Sequence, residues 1–106
     1  MARTLIHLPP SVRRGEPFEV RTTIAHAMET GYRPDDQGRV VPRDIIRRIH
    51  CTLDGETVFS AEVFPAIAAN PYVAFQVRAE RSGSLRITWE GDNGFAQTET
   101  VAVAVA

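Results

Sequence analysis

Ile45-Ile46-Arg47-Arg48-Ile49-His50-Cys51-Thr52-Leu53-Asp54-Gly55-Glu56-Thr57-Val58-Phe59-Ser60-Ala61-Glu62-Val63-Phe64 reads as two strands joined by a turn. Across residues 43–53 the side chains alternate. Ile45, Ile49, Cys51 and Leu53 fall on an inward face, and Arg48, His50 and Thr52 on an outward one, the period of a half-buried strand. Asp54-Gly55 is a strong hairpin signal, because a tight two-residue turn needs positive φ and these residues tolerate it. It leads into a second strand over Thr57–Phe64.

The same period recurs on both sides. Thr4–Leu8 is a short opening strand stopped by Pro9-Pro10. In residues 17–27, Phe18, Val20, Thr22, Ile24 and His26 share one face, with Glu19, Arg21 and Thr23 on the other. Residues 65–71 break the pattern, and Tyr72–Glu80 resumes it with Val73, Phe75 and Val77 together. Ser82-Gly83 turns into Leu85, Ile87 and Trp89. Gly91-Asp92-Asn93-Gly94 turns into Phe95–Val105, which aligns Val101, Val103 and Val105. No segment repeats at the helical period. About seven short strands in 106 residues predict an all-β, immunoglobulin-like antiparallel β-sandwich rather than a small closed barrel. That length suits one domain, residues 1–106, with a core large enough to fold without staples.

Between the second and third strands lies a long polar loop at residues 28–43. Loops longer than ~12 residues without structure of their own are uncommon in compact domains and are usually functional or disordered. This one is punctuated as an ordered loop would be. Gly31 and Gly38 can take positive φ, Pro34 and Pro42 fix φ, and Asp35-Asp36-Gln37-Gly38 reads as a tight turn.

Composition excludes several classes of function. The net charge of −1 gives no electrostatic reason to expect nucleic acid or an anionic membrane as partner. No segment approaches the ~20 apolar residues of a membrane span. The N-terminus carries one positive charge and too short an apolar run for a secretory signal. All twelve basic residues are Arg, a bias that a GC-rich genome explains more readily than function does, although Arg also suits bidentate recognition of carboxylates and sulfonate-like oxyanions better than Lys.

No constellation assembles a catalytic or metal site, so neither catalytic residues nor cofactors are expected. Cys51 lies on the apolar parity of its strand, and His50 points to the opposite face, where it cannot activate the thiol. A blue-copper site needs two His, a Cys and usually an axial Met. Here His26 and Met28 come early, and no His or Met follows Cys51. His7, His26 and His50 lack zinc-ligand spacing. Asp35-Asp36 sits in a solvated turn, and the pairs Arg13-Arg14 and Arg47-Arg48 lack a surrounding basic field.

One ordered set of segments resembles a known family. It runs from Gly15-Glu16-Pro17-Phe18-Glu19-Val20 through His26, Met28-Glu29-Thr30-Gly31, Asp36, Gly38 and Pro42-Arg43-Asp44-Ile45-Ile46. It continues with Cys51, Leu53, Pro65-Ala66-Ile67, Ala69-Asn70-Pro71-Tyr72, Phe75, Gly83, Trp89 and the acidic glycine turn. The set is similar to the SoxZ family, the small subunits of the carrier complex in bacterial thiosulfate oxidation. The resemblance implies a non-catalytic partner of SoxY, whose Gly-rich C-terminal arm bears a cysteine that holds sulfur intermediates and presents them to the Sox enzymes. This chain ends Val101-Ala102-Val103-Ala104-Val105-Ala106, with neither Cys nor Gly, as a Z subunit would. The resemblance also implies a periplasmic location reached by export with a signal-bearing partner.

The expected interface comprises the Met28–Arg43 loop and Asn70-Pro71-Tyr72. Met28 and Tyr72 would be apolar or aromatic anchors, while Arg33 and Arg43 would pair with carboxylates or tolerate an anionic cargo on the arm. Isolated subunits with unpaired edge strands could form homodimers. The competing reading is a generic immunoglobulin-like module that binds protein or carbohydrate.

Overall fold

The computed structural model describes residues 2–63 and 69–106. It is built from β1 (Thr4–His7), β2 (Phe18–Ile24), β3 (Ile46–Leu53), β4 (Glu56–Glu62), β5 (Tyr72–Val77), β6 (Gly83–Gly91) and β7 (Ala96–Val103), with one 3-10 turn at Asp92–Gly94. Two antiparallel sheets face each other, one ordered β1-β2-β5 and the other β4-β3-β6-β7. This is the expected immunoglobulin-like sandwich. The alternation of β2, β5 and β6 sends Val20, Ile24, Phe75, Leu85, Ile87 and Trp89 inward, where they meet Ile49, Cys51 and Val103. Phe59 of β4 stacks on Phe75 of β5, ring centroids 4.3 Å apart, and joins the two sheets along one side. On the other side Val12 forms a parallel bridge to Val105, and the buried Gln97 side chain bonds both backbone groups of Ala2.

The strand ends differ from the expected ones. β5 stops at Val77 because Ala79 leaves the ladder and offers its carbonyl to Gly15 N–H, at 2.9 Å. The expected strand end at Phe64, the break at Pro65 and the Pro65-Ala66-Ile67 motif lie outside the described residues. In β3 the register shifts between Ile46 and Arg48, so Arg47 is an extra residue. That bulge buries both Ile45 and Ile46 and turns Arg47 outward, although strict alternation would place it beside Ile45 and Ile49.

Candidate partner-binding site

The long loop between β2 and β3 is a narrow ribbon. Glu29 and Asp44 exchange both backbone hydrogen bonds at 2.8 Å, Val41 N–H donates to Arg33 C=O at 2.8 Å, and Pro34 bridges Val40. The Asp35 carboxylate closes the tip by accepting from Gln37 and Arg39 N–H, each at 2.9 Å. Almost every side chain from Tyr32 to Arg43 is exposed. The molecule is 57 Å long, whereas its longest strand, nine residues, spans only ~30 Å. The ribbon is therefore an arm standing off one end of the sandwich.

Three contacts fix the base of this arm. Gly31 backs onto Arg43 so closely that an added Cβ would sit 3.1 Å from the Arg43 Cβ, and its φ of +90° is one that glycine alone adopts readily. Arg43 clamps Asp92 with two donors, Nε to Oδ2 and Nη2 to Oδ1, both at 2.8 Å. The same carboxylate accepts from Ile45 N–H at 3.2 Å and meets Arg47 Nε at 3.3 Å. The Arg43 hydrogen bond, with the Ile45 amide and the two guanidinium charges, holds the Asp92 carboxyl below its ordinary value of 3.8 against the opposing effect of burial. Gly91 is required here, because a Cβ would lie 2.4 Å from the Ile45 carbonyl oxygen.

Met28 is the third contact, and it corrects an expectation. It is only 5% exposed, and its Sδ accepts from Ile46 N–H at 3.3 Å. Its backbone holds φ at +54°, a region costly for a side chain of this kind, and its N–H donates to His26 Nδ1 at 3.0 Å. Met28 is thus a plug in the core beneath the arm rather than an exposed anchor. The turn that inverts its backbone points the side chain inward from a polar loop.

His26 and Asn70 clasp the neighbouring corner. His26 N–H donates to Asn70 Oδ1 at 3.0 Å, and Asn70 N–H returns a bond to His26 C=O at 2.7 Å, which Asn70 achieves at φ +52°. The imidazole packs edge-on against Phe95, with Nε2 3.8 Å from Asp44 Oδ1. Asn70 is exposed but occupied in shaping this corner.

The remaining expected residues are accessible. Arg33 lies along the arm, paired to Glu29 through Nη2 at 2.7 Å, and this pairing lowers the Glu29 carboxyl. Tyr72 is 60% exposed on the outer face of the three-stranded sheet. Leu5 at 68%, Tyr32 at 83% and Val40 at 61% are equally open, and the reading of the sequence missed them as surface anchors. Each is an apolar residue where polarity is the rule, a signal that was present. The structure thus brings Arg33 and Arg43 together on the arm with Tyr32 and Val40, and it sets Tyr72 on the sheet with Leu5.

The chemistry available is that of a contact surface. Beside the arm, an open cleft of about 460 Å³ is lined by Arg43, Arg47, Arg48, Glu62 and Glu90, a mixed-charge wall suited to ion pairs with another protein. Among the described residues, no three His, Cys, Asp or Glu side chains converge to hold a metal ion. Cys51 is fully buried, and burial pushes its thiol up to about 12, far from a reactive thiolate at neutral pH.

A scan of the sequence against protein families matches residues 6–102 to the family described as sulphur oxidation protein SoxZ. Among curated proteins no match is found. Solved structures with the same fold include the superoxide reductase (neelaredoxin) from Ignicoccus hospitalis. It is 19% identical with a TM-score of 0.71, and the match covers 99% of this chain and 82% of that one. The sulfur carrier protein SoxY from Chlorobium limicola f thiosulfatophilum is 16% identical with a TM-score of 0.67, covering 97% and 78%. A putative superoxide reductase from Thermotoga maritima is 17% identical with a TM-score of 0.60, covering 97% and 85%.

Proposed function

Because the chain belongs to the SoxZ family of sulphur oxidation proteins, we propose that it is the non-catalytic subunit of a sulfur-compound carrier complex and works by pairing with a SoxY-type subunit. The partner supplies the cysteine arm that holds sulfur intermediates of thiosulfate oxidation. This chain supplies a rigid platform beside it. The observation that carries the reading is the family match over residues 6–102, nearly the whole chain. The site is in keeping with it: an exposed arm, a sheet face that presents Tyr72 and Leu5 among polar neighbours, and a single cysteine buried away from solvent.

Within that reading the residues divide by what they are free to do. Arg33, with its side chain 59% exposed, can exchange Glu29 for a carboxylate on the partner or face an anionic cargo. Tyr32 and Tyr72 supply rigid aromatic area, the kind of side chain that dominates interface energies. Arg43 and Asn70 hold the arm and the adjacent corner in place, and their contribution to the partner is positional. The complex operates in the periplasm, this subunit travelling there with a signal-bearing partner.

Co-expression with the SoxY-type subunit, followed by native mass spectrometry of the purified product, tests the reading. A stable one-to-one mass is the expected result. A lone chain beside a folded partner would return the generic immunoglobulin-like binding module to first place.

A further inference from the structure

Three of the four sheet edges carry a device that discourages strand addition. β4 has Glu56 and Glu62 at its ends and an irregular register opposite Cys51 and Thr52. β7 has Glu99 at its middle, and Val12 pairs with its extension at Ala104 and Ala106. β1 is four residues long and is followed by Pro9-Pro10. Charges, bulges, prolines and short edges are the usual protections of an open sheet. β5, Tyr72-Val73-Ala74-Phe75-Gln76-Val77, lies at the edge of its sheet with no charge and no proline within its six residues, and Pro71 just before it takes part only in the ladder to β2, through its carbonyl.

Its free backbone groups follow from the register. Ile24 N–H bonds Pro71 C=O, so the bonded pairs along the ladder are Thr22 with Val73, Val20 with Phe75 and Phe18 with Val77. Tyr72, Ala74 and Gln76 therefore turn their N–H and C=O groups away from β2, and no described residue pairs with them.

We propose that β5 is a self-pairing edge, at which two copies of this chain join antiparallel about a two-fold axis through Ala74 to give a continuous six-stranded sheet. The strand is complementary to itself in that register. Ala74 faces Ala74 of the second copy, small enough for close approach, and Tyr72 faces Gln76, so all three free residues form bonded pairs. On the inner face Val73 meets Phe75 of the other copy, an aromatic and β-branched pair of the favourable kind. No charge opposes another across the seam. The inference stands apart from the carrier reading, since it concerns the chain without its partner. Six residues a side make a small interface, so the dimer is a weak one that exchanges with monomer.

Sedimentation equilibrium of the purified chain, carried into the millimolar range, tests this. The wild type is expected to shift from monomer to dimer mass with concentration. Ala74→Lys and Ala74→Glu each place like charges opposite one another on the axis and raise the dissociation constant by about tenfold or more. Mixing the two variants restores a one-to-one dimer, because only a two-fold at residue 74 sets Lys against Glu. A wild type that stays monomeric throughout, self-association that survives in both variants, or a mixture no tighter than either variant alone would overturn the proposal.

Discussion

Arg43 and Asp92 are separated by 49 residues and joined by two parallel hydrogen bonds of 2.8 Å, so the base of the arm is bolted to the turn between β6 and β7. A fork of this kind fixes direction as well as distance. The arm therefore leaves the sandwich at an angle set by the body of the fold, which a docking element needs if it is to avoid losing conformational entropy at each encounter.

The clamp has a pH signature. Asp92 has its folded pKa below its ordinary value of 3.8, chiefly through the Arg43 hydrogen bond. A depressed carboxyl contributes stability above its unfolded pKa and loses it as the pH falls through the folded value. The stability gap between wild type and Asp92→Asn should be clear at neutral pH and close as pH falls below about 4. Denaturant melts at a series of pH values read it directly. A gap of constant size down to acid would mean the ionised clamp contributes nothing.

Met28→Ala should cost about 2–4 kcal/mol of global stability, the usual penalty for emptying a buried Met site. The urea midpoint would fall with the slope unchanged, the mark of lost stability without a change in the surface exposed. A variant as stable as wild type would place the side chain at the surface after all.

These two residues also show what the sequence could and could not say. Strand faces were legible at Val20, Ile49, Leu85 and Ile87, because a period of two is written directly in the side chains. The outward turn of Arg47 was not, since it depends on a bulge, and the one local hint is the missing Cβ of Gly91 against the Ile45 carbonyl. An apolar residue in a polar loop reads equally well as an anchor or a plug. Only the φ of +54° at Met28 decides between them, and no composition rule encodes it. The clamp from Arg43 to Asp92 was invisible for a different reason: either residue alone is an ordinary surface charge, and their meeting is a product of the fold. Tyr32, Val40 and Leu5 were open to inference and went unread.

Cys51 should resist a thiol reagent in the native chain and react fully once unfolded. Burial raises its thiol from 9.0 to about 12, and the side chain offers no surface to the reagent. Native labelling should then proceed no faster than the protein opens, and its rate should rise through the denaturation transition. Rapid stoichiometric labelling under native conditions would mean a local opening of β3 that this packing does not permit.

Partner binding offers the sharpest comparison between exposed and buried residues. Tyr72→Ala removes a ring that is 60% exposed and should leave the stability of the isolated chain nearly unchanged. Against a SoxY-type subunit in a calorimetric titration, it should weaken binding by about 1–3 kcal/mol. Tyr32→Ser tests the arm in the same way, because that ring is 83% exposed and its loss disturbs nothing in the core. Loss of affinity in both variants would mean that the partner spans the arm and the sheet face together. Loss in Tyr32→Ser alone would confine the contact to the arm and leave β5 free when the partner is bound. Full affinity in both would remove the arm tip and the outer sheet face from the interface and direct attention to the cleft beside the arm lined by Arg47, Arg48 and Glu90.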